Sequence, residues 1–455
     1  MTLDVNRLDL LVQQIPHDLL ARQRWFRSKG RRIAGLSLDE AAPLVAEPDT
    51  RDAALLIVRA SFADGGEDEL YLLPVLSEPD EPGASPAAQW GIVAVRDAET
   101  DTVLREPRDG DGVWRRLVAA IAAETTLPGL HGAFAFHALG PVDAAGDERL
   151  LRGEQSNTSV ALGDQLLLKL YRRLEPGENP DLEMPRFLSQ AGFDHVPRVH
   201  GFVRYIPARG EPSAVAMVQS FLADAVDGWR WLLNQLTAGN DALGGVARIG
   251  EISADMHRAL ASRPDDAAFP ARPAAPDDLA AWRASAEGQL ELAAAAAPDV
   301  AELAPRVRQA YDAFDGAAGA SVSRIHGDYH LGQLLRSDDD FWVIDFEGEP
   351  ARPLEERRRP SSPLRDVAGI LRSLDYAART AEREEAASAF QAEPWLEQAR
   401  GGLLQAYRSG MGSFDDELLR AFEIEKACYE VHYETNNRPD WAWLPIDALR
   451  RLVRA

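Results

Sequence analysis

The chain has 455 residues, more than one compact core usually holds, so two or three domains are expected. Its 49 Lys and Arg against 73 Asp and Glu give a formal net charge of −24, which repels nucleic acid and anionic lipid and argues against both as partners. One cysteine, Cys428, leaves no internal disulfide and no cysteine-based zinc cluster, no run approaches a membrane span, and Met1 to Asn6 lacks the features of a secretory leader. A cytoplasmic monomer is the expectation.

Residues 7–27 place apolar positions at helical spacing and close on Arg22-Gln23-Arg24-Trp25-Phe26, which reads as one helix with an aromatic end. Ala54 to Phe62 and Glu69 to Leu76 read as strands joined by the hairpin signal Asp64-Gly65-Gly66. Further strands are expected at Trp90 to Arg96 and Thr102 to Leu104, and a Gly/Asp-rich boundary follows at Pro107 to Gly112. Residues 1–110 therefore form a small α+β unit with no convergent polar cluster, a cap or packing module.

Residues 111–222 read as a second domain: a helix at Val113 to Glu124, strands at Ala133 to Leu139 and Leu150 to Leu151, then a polar turn from Gly153 to Ser159. Strand Val160 to Leu162, turn Gly163-Asp164 and strand Gln165 to Tyr171 follow, the last carrying Lys169. This is the layout of a nucleotide-clasping lobe, in which Ser156, Asn157 and Thr158 cover the phosphates and Lys169 contacts them. There is no Walker A and no GxGxxG, and a strand lysine is usually just an edge residue. Glu183, on a helix opened by Pro180, stands to pair with Lys169 or to serve as an ordinary first-turn carboxylate. The apolar strand Ala214 to Leu222 ends in Gln219, Phe221 and Leu222, where a hinge that reads adenine is expected.

From 223 to 455 the chain reads as mostly helix, with helices at Leu243 to Leu260, Asp277 to Ala297 and Val300 to Phe314 and a solvent-exposed, mobile loop at Arg263 to Pro276. The chemistry concentrates in Arg324-Ile325-His326-Gly327-Asp328-Tyr329-His330-Leu331-Gly332-Gln333 and in Trp342-Val343-Ile344-Asp345-Phe346-Glu347-Gly348-Glu349-Pro350. Two aspartates seventeen positions apart, one in a His-Gly-Asp turn and one after a short apolar strand, are what phosphoryl transfer needs. Asp328 would accept the proton of an attacking hydroxyl and Asp345 would hold Mg²⁺. Gln333, five residues after Asp328, has the spacing of a second metal-contacting amide. A metal pair of His326 and His330 is disfavoured because no helical context surrounds them. The arginines of the Pro353 to Pro363 loop are placed either to touch ATP or to be solvated.

Glu423 to Asn437 is helical in pattern and sets Tyr429 with Tyr433, Glu430 with Glu434 and Lys426 with Glu430 at i, i+4. Arg438-Pro439 ends it, and Trp441 and Trp443 follow. Carboxylates that accept from hydroxyls, beside aromatic faces that cover C–H surface, suit a pyranose, although core anchoring explains the tyrosines as well.

Taken in order, EQSNTS, LLLKLYRR, PGENPDLE, IHGDYHLGQLL, VIDFEGEP, RDVAGILRSLDYAA and EKACYEVHYETNNRPDW resemble the actinobacterial maltokinases and the glucosamine kinases, and RQRWF resembles their cap. The resemblance spans essentially the whole chain. It implies an α+β, bilobal protein-kinase-like fold, similar to the aminoglycoside phosphotransferases, with an N-terminal cap. It also implies ATP and Mg²⁺ as cofactors, Asp328 as base, Gln333 and Asp345 on the metal and Lys169 on the nucleotide. The expected acceptor set is Asp328, His330, Tyr429, Glu430, Tyr433, Glu434, Arg438 and Trp441. Maltose, giving maltose 1-phosphate, is the first expectation, glucosamine giving its 6-phosphate the alternative, and a regulatory pseudokinase the third. The family runs from RPDW straight into LPIPL, whereas this chain inserts Ala442-Trp443, and Cys428 and His432 replace apolar residues.

Overall fold

The structure, a computed structural model, describes residues 5–44, 51–79, 94–97, 99–143, 145–151, 157–349, 352–384 and 390–454. They form two compact units, Met1–Glu183 with Pro197–Ala223, and Met184–Val196 with Asp224–Ala455.

The first unit holds strands β1 (Ile33–Pro43), β2 (Ala53–Phe62), β3 (Glu69–Pro79), β4 (Ala94–Asp97), β5 (Thr102–Arg105), β6 (Thr126–Pro128), β7 (Gly132–Ala138), β8 (Glu148–Leu151), β9 (Asn157–Leu162), β10 (Leu166–Tyr171), β11 (Arg173–Leu174), β12 (Val199–Pro207) and β13 (Ser213–Ser220). One sheet runs β1-β2-β3-β5-β4, with β11 also paired to β3; the other runs β6-β7-β12-β13-β10-β9-β8. The Asp64-Gly65-Gly66 hairpin is present between β2 and β3, and Gly65 takes φ +70, the left-handed conformation glycine allows cheaply. The expected strand at Trp90 to Arg96 lies mainly outside the described residues, with β4 its described part.

The single helix expected over 7–27 is two, Val5–Gln13 and His17–Ala21. Pro16 lacks the N–H that would continue the first, and Trp25 and Phe26 are buried against Tyr71. β1 and β12 were not foreseen. β1 mixes Asp39 and Glu40 into its run, and their partners lie far off in sequence: buried Glu40 accepts from the N–H groups of Leu130 and His131 and from Tyr205 Oη at 3.1 Å.

The first residues close a core of their own on one face of the first sheet, around Leu11, Phe26, Leu56, Tyr71 and Leu73, but the other face does not stand alone. Ala42, Leu55, Ile57, Leu72 and Leu76 of the first sheet share one apolar cluster with Trp114, Leu117, Phe136, Val160, Leu168 and Val218. Buried Arg105 bridges Glu78 at 2.6 Å and Asp111 at 2.7 Å, and Arg172, equally buried, pairs with Glu106 at 2.5 Å.

In the second unit, helices Gly228–Thr237, Leu243–Leu260, Pro276–Ala296, Pro298–Ala310, Leu364–Arg383, Ala392–Met411, Asp416–Asn437 and Trp443–Leu452 surround one core that includes Ile249, Ile252, Leu371 and Ile424. Asp227 caps the first of them by accepting from the Arg230 N–H at 2.9 Å. The expected helix at Val300 to Phe314 breaks at Tyr311, with Asp312–Asp315 forming a separate turn. The loop expected to be mobile at Arg263 to Pro276 is tied down instead: Phe269 is buried with its ring 3.7 Å from that of Phe187, and β15 (Arg272–Pro273) pairs with β16 (Ser321–Val322). A small sheet joins β14 (Val226–Asp227), β17 (Leu334–Ser337) and β18 (Asp340–Val343), with Asp338 and Asp339, between β17 and β18, in left-handed φ of 49 and 62. Among the described residues no helix is long and apolar enough to cross a membrane.

Because the two sheets of the first unit share their apolar faces, removing residues 1–110 should leave that cluster open and give insoluble protein. A soluble, monomeric truncated chain with native circular dichroism would show that the remainder closes its own core.

Candidate active site

The His-Gly-Asp turn is built around a carboxylate the sequence reading did not single out. Asp366, buried in the first turn of helix Leu364–Arg383, accepts from the His326 N–H at 2.7 Å and the Gly327 N–H at 2.9 Å. It also takes a bond from His257 Nε2 at 3.1 Å, while His257 Nδ1 faces Tyr407 Oη at 2.9 Å. Burial pushes the Asp366 carboxyl up, but His257, His326 and the backbone donors outweigh it and hold it below the usual range. Two glycines let backbone approach the loop. A Cβ on Gly369 would meet the Tyr329 carbonyl oxygen at 2.4 Å, and one on Gly228 the Leu331 carbonyl oxygen at 2.6 Å.

From this support the loop delivers its side chains. Asp328 is 23% exposed, with Oδ1 3.2 Å from Lys426 Nζ and Oδ2 3.9 Å from His330 Nε2. Burial raises its pKa, and Lys426, His330 and His326 overcome that to hold it low. Burial likewise lowers His330, whose Nδ1 accepts from the Gly332 N–H at 3.0 Å. His326 Nε2 is committed to the Ile344 carbonyl at 2.9 Å, so the two histidines do not form a metal pair. Gln333 Nε2 donates to Asp345 Oδ2 at 3.2 Å, bringing together the two residues expected to share a metal. Asp345 has φ +63, a conformation costing a non-glycine residue about 1 kcal/mol or more, of a kind that collects at functional sites. A Glu347 oxygen lies within 4.8 Å of one on Asp345. Oxygen donors of this kind fit Mg²⁺.

A cavity beside Asp328 is lined by Glu349, Arg352, Glu425, Lys426 and Tyr429 among others. Of the expected acceptor residues it includes Asp328 and Tyr429. Glu430 turns elsewhere, accepting from Arg372 at 2.8 and 3.0 Å, and Glu434 takes both Arg438 donors at 2.9 and 2.6 Å. Tyr433, 43% exposed, stacks on Tyr429, and Trp441 lies under the Arg438 guanidinium. The inserted Trp443 sits under Arg383, 4.3 Å from ring centre to guanidinium. Lys426 and Glu425 were missed as site residues because i, i+4 spacing gives a helix face but not its neighbour, and Glu349, in the loop after Asp345, because only the fold brings it to Lys426. In the Pro353 to Pro363 loop, Arg357 donates to the Glu347 carbonyl at 3.1 Å and Arg359 pairs with Glu355 on the surface.

In the first unit Lys169 is buried on β10, and the carboxylate found against it is Asp181, at 2.9 Å, two residues before the expected Glu183. The first helical turn after Pro180 turns Asp181 toward β10, where Tyr171 Oη also donates to it at 3.2 Å. Asn157 opens β9, Thr158 Oγ1 accepts from Arg172, and Ser156 lies outside the described residues. Gln219 is buried on β13, the Phe221 N–H bonds the Gln165 carbonyl at 2.7 Å, and Leu222 is half-buried just before the first unit ends at Ala223.

A His-Gly-Asp loop held from behind by a buried aspartate, with an amide bonded to a second aspartate after a short strand, is the layout of a kinase-like phosphotransferase. Comparison with known proteins agrees. A family model described as the phosphotransferase enzyme family matches residues 147–403, and one for the maltokinase N-terminal cap domain matches residues 19–104. A glucosamine kinase of Streptacidiphilus jiangxiensis is 31% identical over 421 residues, covering 87% of this chain and 93% of that one. Another, from Mycolicibacterium smegmatis, is 32% identical over 385 residues, covering 78% and 94%. A solved glucosamine kinase in complex with glucosamine, ADP and inorganic phosphate aligns at TM-score 0.71 and 28% identity over 98% of both chains. The chain belongs to the phosphotransferase enzyme family, as a sugar kinase with an N-terminal cap.

Replacing Asp366 by asparagine should cost about 3–5 kcal/mol of stability at neutral pH, since His257 and two backbone donors lose their charged partner. The Asp366 pKa is lowered by folding, so its contribution is full above the ordinary carboxylate range and is lost as pH falls through the folded value. Urea denaturation of both proteins should therefore show the gap at pH 7 and its narrowing in acid; a gap independent of pH would remove the charge from the explanation.

Proposed function

We propose that this protein is an ATP- and Mg²⁺-dependent kinase that phosphorylates glucosamine, with Asp328 as the base. The observation that carries the reading is the ionised Asp328 at a cavity lined by the carboxylates of Glu349 and Glu425 and the ring of Tyr429. Carboxylates accept from sugar hydroxyls and hold an ammonium, and an aromatic face covers the C–H side of a pyranose. Trp441 and Trp443, the residues that would extend an aromatic wall for a disaccharide, are not among those lining the cavity. The glucosamine kinases that resemble the chain over most of its length support the same choice. Maltose is the second reading, favoured by the match of residues 19–104 to the maltokinase cap.

In this reading Asp328 orients the acceptor hydroxyl and takes its proton, and His330 and Tyr429 border the acceptor. Gln333 and Asp345 hold Mg²⁺, which when bound neutralises phosphate charge. Lys169, positioned by Asp181, contacts the nucleotide phosphates together with Asn157, Thr158, Ser156 and Glu183, and Gln219, Phe221 and Leu222 receive the adenine. Glu430, Glu434, Arg438, Tyr433 and Trp441 support the acceptor helix through the ion pairs and stacking described above. The protein acts in the cytoplasm as a monomer, a reading consistent with a single, buried cysteine.

Purified protein with ATP should phosphorylate glucosamine in a screen that includes maltose and glucose, with the phosphate position read by NMR; turnover of maltose alone would select the second reading. Asp328→Ala should lower kcat by roughly 10²–10⁴-fold while ATP binding, followed by calorimetry, persists. Asp345→Asn should raise the Mg²⁺ concentration needed for half-maximal activity, and an unchanged requirement would remove Asp345 from the metal.

A further inference from the structure

Four alternating charges run through the cavity to Asp328. Arg352 Nε donates to Glu349 Oε2 at 2.6 Å, Glu349 Oε1 lies 3.6 Å from Lys426 Nζ, and Lys426 Nζ lies 3.2 Å from Asp328 Oδ1. The ammonium also stands 4.7 Å over the Tyr429 ring. Lys426 is fixed from below, because its helix neighbours Phe422, Ala427 and Cys428 are buried in the core of the second unit. Its side chain is only 22% exposed, and a lysine so placed loses much of its hydration unless anions replace it.

We propose that Lys426, held in turn by Glu349 and Arg352, is the positioning residue that fixes Asp328 for proton transfer. The inference rests on the reading of Asp328 as the base. With Oδ1 engaged by the ammonium, Oδ2 is the oxygen left to face an acceptor hydroxyl. As the hydroxyl oxygen bonds to the γ-phosphorus and the bond from that phosphorus to the β-phosphate oxygen breaks, releasing ADP, the hydroxyl proton passes to Oδ2. Asp328 is then neutral, and Glu349 retains the Lys426 charge, so the lysine keeps a counter-ion on both sides of the step. The arrangement also sets the protonation of the base. The charged and titratable groups acting on Asp328 are Lys426, His330 and His326, with Glu349 behind Lys426; burial pushes the carboxyl up and the cations bring it down. Burial would lower Lys426 itself, and Asp328 and Glu349 reverse that, so it is a cation throughout the neutral range.

The test uses the full chain with ATP and the sugar its screen identifies. Lys426→Met should reduce kcat/KM by about 10- to 100-fold through lost orientation. The acid limb of its kcat/KM profile should move upward by about one pH unit or more, because the nearest cation no longer lowers Asp328. Lys426→Arg should return the limb toward the wild-type position. A limb that stays in place in Lys426→Met overturns the proposal even if activity falls, since a purely structural role would lower the rate alone. Thermal midpoints of Lys426→Met, Asp328→Asn and the double variant give a readout that needs no acceptor: the effects should be non-additive, and additive effects would also overturn the pairing. Absence of turnover on every sugar by the wild-type protein would instead sink the kinase reading, and the midpoint cycle would still decide whether Lys426 and Asp328 are coupled.

Discussion

The second unit depends on one buried anion. Asp366 gathers two backbone N–H groups of the His-Gly-Asp turn and the ring of His257 around a single carboxylate, away from water. In such a setting each of these bonds is strong and each is costly to leave unmade, so the turn has one conformation and not several. Gly369 and Gly228 allow flanking helices to touch the backbone of the same loop at Tyr329 and Leu331. The Leu331 N–H in turn donates to Ser373 Oγ at 3.1 Å. Asp328, His330 and Gln333 inherit their positions from these contacts, and the Gln333 bond to Asp345 carries that order to the second aspartate.

The charge balance of the site differs from that of the chain. A protein of net charge −24 would be expected to present a strongly anionic pocket, yet Asp328, Glu349 and Glu425 each face a cation: Lys426, Arg352 and Arg365. Local pairing offsets the mutual repulsion of carboxylates gathered around one cavity. The same device recurs in the first unit, where buried Arg105 and Arg172 are compensated by Glu78, Asp111 and Glu106. Removing one member of such a group is far more damaging than the modest net value of the intact pair, because a charge is left without its partner.

The cap and the nucleotide-type lobe illustrate a related constraint. Apolar sheet faces need cover; the first sheet has one face covered by the N-terminal segment and shares the other with the second sheet around Trp114 and Leu117 of helix Val113–Ala122. Glu40 ties β1 to the segment at Leu130 and His131 through hydrogen bonds spanning some ninety residues. The boundary that composition marks near Pro107 to Gly112 is therefore a turn within one packed unit. Its carboxylate anchor is Glu148, which accepts from the Gly112 and Arg115 N–H groups at 2.8 Å.

The sequence by itself determined what depends on neighbours along the chain. The hairpin at Asp64-Gly65-Gly66, the helix Leu243–Leu260 and the Asp328, Gln333, Asp345 spacing all follow from local propensity or short-range geometry. The order of motifs carried the family. Tertiary structure decided what depends on partners distant in sequence. That Asp366 supports the His-Gly-Asp turn, that Asp181 faces Lys169, that Glu430 serves Arg372 and that Lys426 reaches Asp328 are contacts between elements, and i, i+4 spacing says which residues share a face without saying what the face meets. β1 and β12 were hidden for the same reason: their polar positions look unfavourable until Tyr205, Leu130 and Glu178 supply partners. A buried charge is legible only with its counter-charge, and the fold alone brings the two together.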